Sequence, residues 1–163
     1  MKNNEASFLR WNQPKVVTYL SEKEKSSLEL DVKGNLIVVK ETGQPFDTGE
    51  ALMGPGAIFI MEPSGRILAS NYSKPREFHH SSLSGGLPVA SAGHMEVADG
   101  HLLEVNSYSG HYEPTQRQNN LIFQELESRG LPASITDNVM QGGWTEDGVS
   151  TKFKPHKNFR NIQ

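Results

Sequence analysis

The sequence predicts an α+β fold: a curved antiparallel sheet built from β-hairpins, with one main helix packed on it. Two observations carry that expectation. Tight-turn residues separate three pairs of short apolar, β-branched runs. One later segment carries a helical apolar stripe with a capping signal at its start and a glycine just past its end.

The elements follow in chain order. Residues 1–14 are polar with scattered apolar side chains and read as an N-terminal arm; residues 15–150 read as one domain. Ser21-Glu22-Lys23-Glu24 matches a capping box, so a short helix starts there. Lys33-Gly34-Asn35 turns LELDV (Leu28 to Val32) into LIVVKE (Leu36 to Glu41), a first hairpin. Gln44 to Gly56 is a Gly- and Pro-containing loop. AIFIM (Ala57 to Met61), the turn at Pro63-Ser64-Gly65 and RILAS (Arg66 to Ser70) form a second hairpin. HMEV (His94 to Val97) and HLLEV (His101 to Val105) flank Ala98-Asp99-Gly100 as a third. In the simplest register Val97 faces His101 or Leu102, which brings Glu96 close to an acid on the other strand, Glu104.

Thr115 and Gln118 form a second capping box, and Leu121, Ile122, Phe123 and Leu126 line one side of the helix they open. Gly130 and Leu131 predict a Schellman-type end. SITDNVM (Ser134 to Met140) reads as an edge strand. Residues 151–163 carry Lys152, Lys154, Lys157 and Arg160 without an acid and read as a basic, solvated tail.

Composition narrows the function classes. The chain has 163 residues, net charge −3 and no cysteine. Disulfides, thiolate metal sites and a cysteine nucleophile are excluded, and no nucleic acid is expected as a partner. MKNNEASFLRWNQPK has no apolar run of signal-peptide length, and no stretch approaches membrane-spanning length.

Five of the six histidines lie between Phe78 and Pro114: His79, His80, His94, His101 and His111. FHHSSLSGG (Phe78 to Gly86) offers imidazoles, hydroxyls and, at Gly85-Gly86, positive φ. Successive N–H groups of such a turn can cradle an anion. The bland alternative is a polar turn whose side chains satisfy local backbone groups. Ser109-Gly110-His111-Tyr112 sits between the third hairpin and the helix, with Tyr112 offering a stacking face or, alternatively, an edge of the core. No HxxxH or HExxH spacing, Gly-x-Ser-x-Gly elbow or Walker loop occurs, so no metal site is expected. Among the carboxylates, Glu96 is the first choice for a catalytic acid.

The spaced set AIFIMEPSGRILASN, FHHSSLSGG, PVASAG and SGHYEPT, ending at ELESRG, resembles a domain carried as cargo by bacterial polymorphic toxins and effectors. It is also similar to the domain of the plant calmodulin-binding IQM proteins. The resemblance spans about residues 28–132. At His94, bacterial relatives often carry an acid and plant relatives a basic residue. A further link, to atypical mono-ADP-ribosyltransferase effectors, implies NAD as cofactor and a protein acceptor, with a threonine of host ubiquitin among the candidates. An immunity or chaperone protein would accompany it. That link implies that Phe78, His79, His80, Ser81, Ser82, Gly85, Gly86, Ser109, Gly110 and Tyr112 hold the cofactor. His80 would bind ribose, Tyr112 would stack on nicotinamide, and His111 would orient the site or accept a proton. It also implies a bacterial cytoplasmic protein exported by a leaderless system into another cell. No complete Arg-Ser-Glu or His-Tyr-Glu set aligns on this chain. The plant resemblance implies instead a non-catalytic protein-interaction domain, although no IQ motif or basic amphipathic helix is present. A toxin hydrolase is a third reading.

Overall fold

The computed structural model describes residues 17–49, 56–109, 112, 114–144 and 150–162. The expected N-terminal arm, residues 1–14, lies outside them. The elements run α1 (Glu22–Leu28), β1 (Glu29–Lys33), β2 (Leu36–Val39), β3 (Ala57–Met61), β4 (Ile67–Ser70), α2 (His80–Ser84), β5 (Ser91–Ala98), β6 (His101–Asn106), α3 (Gln116–Ser128), α4 (Ala133–Thr136), β7 (Met140–Trp144) and β8 (Ser150–Pro155). A 3₁₀ turn, His156–Asn158, follows.

The strands form one curled sheet in the order β2-β1-β4-β3-β5-β6-β7-β8. The three expected hairpins are all there, and every neighbouring pair is antiparallel except β6–β7. That pair is parallel because the chain crosses over through α3, which a two-residue turn could not achieve. The fold is thus the α+β sheet with a main helix that the sequence predicts.

β3 sits at the centre, and its apolar run is buried along its whole length. Alternation divides it between two cores. Ala57, Phe59 and Met61 face α3, where Ile122, Phe123 and Leu126 pack with Met95, Val97 and Val105. Ile58 and Ile60 face the opposite way and pack with Leu68, Ala92 and Leu83 of α2. The long helix therefore covers one face of the sheet, and the short helix covers part of the other.

Local chemistry sets the helix ends. Ser21 and Glu24 cap α1 reciprocally, and Thr115 and Gln118 do the same for α3. At the end of α3 the Gly130 N–H donates to Glu127 O (3.0 Å) and the Leu131 N–H to Leu126 O (3.1 Å), the two bonds of a Schellman motif. Gly130 adopts φ +104°, a region that side chains rarely enter.

Three segments differ from expectation. FHHSSLSGG is not an open turn: residues 80–84 form a buried helical turn, closed by Gly85 at φ 67°. SITDNVM is not a strand. Its first half is α4, and the strand begins only at Met140. Residues 150–155 form edge strand β8 rather than a solvated tail. Arg160 beyond it pairs with Glu127 (2.6 Å) and with Asp137.

Candidate functional site

The two polar stretches singled out in the sequence meet on the α2 face of the sheet. Three N–H groups of the FHHSSLSGG turn close on its own carbonyls. Ser82 N–H reaches His79 O (2.8 Å) and Gly86 N–H reaches Ser81 O (3.0 Å), while Gly85 N–H also goes to Ser81 O. The His79 N–H donates to Ser82 Oγ (3.1 Å), and the His79 ring meets Ser81 Oγ through Nδ1 (2.9 Å).

His80 is buried beneath this turn. Its Nε2 lies 2.7 Å from the Gly93 carbonyl, which only accepts, so Nε2 carries the proton. Its ring meets the His94 ring edge-on, with centroids 5.4 Å apart. The backbone at Gly93 explains the Ala-Gly of PVASAG. A Cβ there would stand 1.8 Å from the Asn106 carbonyl oxygen on β6.

Tyr112 closes the arrangement. Its ring packs at the edge of the α2 core. Its hydroxyl lies 2.5 Å from Ser84 Oγ and donates to Leu87 O at 3.0 Å. The Tyr112 N–H donates to buried Ser109 Oγ (3.3 Å). Phe78 packs on the same core and meets the Tyr72 ring at 5.4 Å. Gly110 and His111 lie outside the described residues. Among the described residues no cluster of three or more His, Asp or Glu side chains could hold a metal ion.

Glu96 lies farther along the same face of β5. It stands directly opposite Glu104 on β6, and the register slips between Glu96 and Val97, so that Val97 faces Leu102. Thr48 holds the Val97 main chain, its N–H donating to Val97 O (2.8 Å). The Val97 N–H donates to Thr48 Oγ1 (3.0 Å), and the Thr48 hydroxyl donates to Val97 O (3.1 Å). Burial, then the Glu96 charge, push the Glu104 carboxyl above its usual range, with the Asn106 side chain opposing. Burial likewise holds the His94 imidazole below its ordinary value.

Sequence reasoning missed a second buried polar network, on the α3 face. His156 Nδ1 meets Gln141 Oε1 (2.7 Å), and the Gln141 amide donates to Asn120 Oδ1 (2.9 Å) and Gln116 Oε1 (3.1 Å). Asn120 in turn donates to the Phe159 carbonyl (2.7 Å). His156 stacks on Phe123, with centroids 3.7 Å apart and planes 9° apart. The available signal was Gln116 and Asn120, which share the helical period of Phe123 on the inner face.

The chain can now be compared with known proteins. The model of the IQ motif-containing protein middle domain matches residues 24–119. Similar proteins from Arabidopsis thaliana include IQ domain-containing protein IQM5, 33% identical over 104 residues, which is 64% of this chain and 20% of that protein. IQ domain-containing protein IQM3 is 34% identical over 99 residues, covering 61% and 22%. IQ domain-containing protein IQM2 is 27% identical over 151 residues, covering 91% and 24%. The chain spans about a fifth to a quarter of the length of these relatives. No solved structure matches it.

These findings correct the effector reading. The relatives are IQ domain-containing plant proteins rather than bacterial toxins, which overturns the mono-ADP-ribosyltransferase activity, the enzyme assignment and export from a bacterial cytoplasm. Host ubiquitin and an immunity protein lose their support with it. The chain belongs to the family of the IQ motif-containing protein middle domain.

Proposed function

We propose that this domain is a non-catalytic protein-interaction module. The supporting observation is the internal use of the groups that looked most like a reaction site. The phenol of Tyr112 is taken up by Ser84 and Leu87, and the imidazole N–H of His80 by Gly93. These groups brace α2 and the approach to α3 against the sheet. They act as joints of the fold, and recognition is left to the surface.

Calmodulin, the partner that the plant resemblance implies, is assigned in this reading to IQ segments rather than to this fold. The main helix, α3, carries Glu125 and Glu127 and lacks a basic face. The domain would recognise a second protein alongside such a segment.

Tyr112→Phe tests the reading because it removes only the hydroxyl. A structural brace of this kind is worth about 1 kcal/mol, which lowers the melting temperature of a chain this size by about 2–4 °C. Below that temperature the variant should still capture the same cross-linked protein partners as the wild type. An unchanged melting temperature, together with lost capture, would return the phenol to a ligand-facing role and overturn the proposal.

A further inference from the structure

Three edges of the sheet differ in how they are protected. The outer edge of β2 is closed by the loop that follows it: the Val39 N–H donates to Gln44 O (2.8 Å) and the Phe46 N–H to Ile37 O (2.9 Å). The outer edge of β8 carries Lys152 and Lys154 and a register shift against Gln141 and Gly143. Such charges and irregularities turn other strands away. The first half of β6 has neither device. β7 joins β6 only from Glu104 onward, where Met140 is the partner. Among the described residues, 101–103 therefore have β5 on one side and no strand on the other. They are His101, Leu102 and Leu103, with no lysine or proline among them.

The chain approaching β7 does not fill the gap. Its main chain turns back on α4: the Asn138 N–H donates to Ile135 O and the Val139 N–H to Thr136 O, both at 3.1 Å. A cleft of about 360 Å³ is left between β6 and α4. Leu102 and Val139, both buried in the core, make its floor, and Ser134, Ile135 and Asn138 line the α4 side. One residue of a strand in a packed sheet takes up about 4.8 Å by 10 Å by 3.3 Å, or about 160 Å³. The cleft therefore holds about two to three residues of extended chain, close to the length of the open edge.

The chemistry of the cleft says what it can take. The register slip makes Leu103 an extra residue on β6, and its side chain stands 48% exposed at this edge. Among the described residues no carboxylate, lysine or arginine lines the cleft. A charged side chain entering it would lose hydration without gaining a partner. The Asn138 Nδ2 is taken by Ser134 O (2.9 Å), which leaves Asn138 Oδ1 as an acceptor on the α4 side. Because α4 closes that side, the gap has room for a single strand and none for the edge of a second sheet.

We propose that the first half of β6 is a strand-addition site, and that its occupant is a short, extended, apolar segment of a partner protein. The inference rests on the interaction reading above and names its surface and partner chemistry. The guest main chain pairs with residues 101–103 in the place that β7 leaves open. One apolar side chain of the guest enters the cleft over Leu102 and Val139, and Leu103 packs beside it. Asn138 Oδ1 accepts an N–H from the guest's far side.

The test uses the whole chain and a short fluorescent Thr/Val peptide with a lysine at each end for solubility. The control is the same peptide N-methylated throughout, which keeps the side chains and removes the strand donors. Fluorescence anisotropy should show binding of the first peptide and binding at least about tenfold weaker for the second. Leu103→Lys gives this edge the guard that β8 carries, and Ser134→Trp fills the cleft; each should weaken binding about tenfold. Leu121→Lys adds the same charge at an exposed leucine of α3 outside the cleft and should change affinity less than about twofold. An equal loss in Leu121→Lys would reduce the effect to surface character and overturn the proposal, as would failure of the peptide to bind or equal binding of its methylated form. Amide exchange on the wild-type chain reads the site without any variant, and so holds even if a substitution disturbs folding. Saturating peptide should slow exchange at residues 101–103 at least about tenfold as new main-chain bonds form, and unchanged exchange there would also overturn the proposal. Sedimentation velocity adds one more outcome: wild-type dimers abolished by Leu103→Lys would make the occupant a second copy of this chain, against the proposal. Failure here with the expected behaviour of Tyr112→Phe leaves the interaction module standing and removes only this surface.

Discussion

Gly93→Ala isolates the joint on which the α2 face depends. The new methyl carbon would lie 1.8 Å from the Asn106 carbonyl oxygen and 2.8 Å from its carbonyl carbon. A comfortable C···O approach is about 3.3 Å, so β5 and β6 must part locally by about 1.5 Å. Hydrogen bonds stretched that far cease to be bonds. At risk are the Asn106 Oδ1 contact with the His94 N–H, the neighbouring ladder bonds and the His80 contact with Gly93 O. Two or three such losses at about 1 kcal/mol each, added to about 1–3 kcal/mol for overpacking, give about 3–6 kcal/mol. For a chain of this size that lowers the melting temperature by about 10–15 °C. Thermal unfolding followed by circular dichroism at neutral pH reads the shift directly. A melting temperature within about 2 °C of the wild type would refute the argument that β5 and β6 approach too closely here for any side chain.

Two further predictions concern the α3 face. Burial, with the Arg160 charge, holds His156 at about 4 when folded, against an ordinary value of 6.5. The unfolded chain therefore binds the proton first: stability is complete above about pH 6.5 and drains as the pH falls towards 4. A depression of that size caps the loss at about 3 kcal/mol, and solvent screening around exposed Arg160 brings the expected figure to about 1–2 kcal/mol. His156→Phe should flatten that part of a urea-unfolding pH profile; an unchanged slope would remove His156 as its source. Arg129→Met tests the clasp at the end of α3, where the guanidinium reaches Gly65 O (2.7 Å), Leu30 O (3.1 Å) and Glu125 (2.9 Å). Losing it should cost about 2 kcal/mol and lower the melting temperature by about 4–8 °C, and a shift below about 1 °C would contradict the clasp.

Most elements were legible because their signals are local. The Asp99-Gly100 turn, the Thr115–Gln118 capping box and the Gly130 end each need only a few neighbouring residues. The errors came where distant contacts decide. Ser134-Ile135-Thr136 has a β-branched look, yet Pro132 at the N-cap and the short contact from Thr136 Oγ1 to Glu127 (2.5 Å) hold it as a helical turn against α3. Lys152-Phe153-Lys154 was read by its charge, which hid its period of two; lysines on an edge strand are a common guard against unwanted pairing. The polar stretch at 78–86 has the serines and glycines of a turn, yet it coils into a helical turn in which the Ser82, Gly85 and Gly86 N–H groups close on its own carbonyls. The hairpin turn placed Glu96 near Glu104, but the bulge at Leu103 that sets the two directly opposite has no local signal.

The distribution of satisfied and unsatisfied groups argues for where function lies. The α3 face buries His156, Gln141, Gln116 and Asn120 and connects them in one network. On the α2 side His80 bonds the Gly93 carbonyl, and Ser84 and Tyr112 bond each other. Four buried side-chain atoms among the described residues have no partner. Asn71 Oδ1 and Asn119 Nδ2 are scattered, one on the loop after β4 and one on α3. His94 Nδ1 and Asn106 Nδ2 sit together, in the row beside two opposed carboxylates. A buried donor without an acceptor costs about 1–3 kcal/mol, and like charges across a ladder add to that cost. Here the Asn106 side chain acts on both the Glu104 carboxyl and the His94 imidazole, so these rows are partly settled from within. The groups best suited to chemistry, the imidazole of His80 and the phenol of Tyr112, are meanwhile consumed in bracing the fold, and for that reason the interaction reading leaves recognition to the surface.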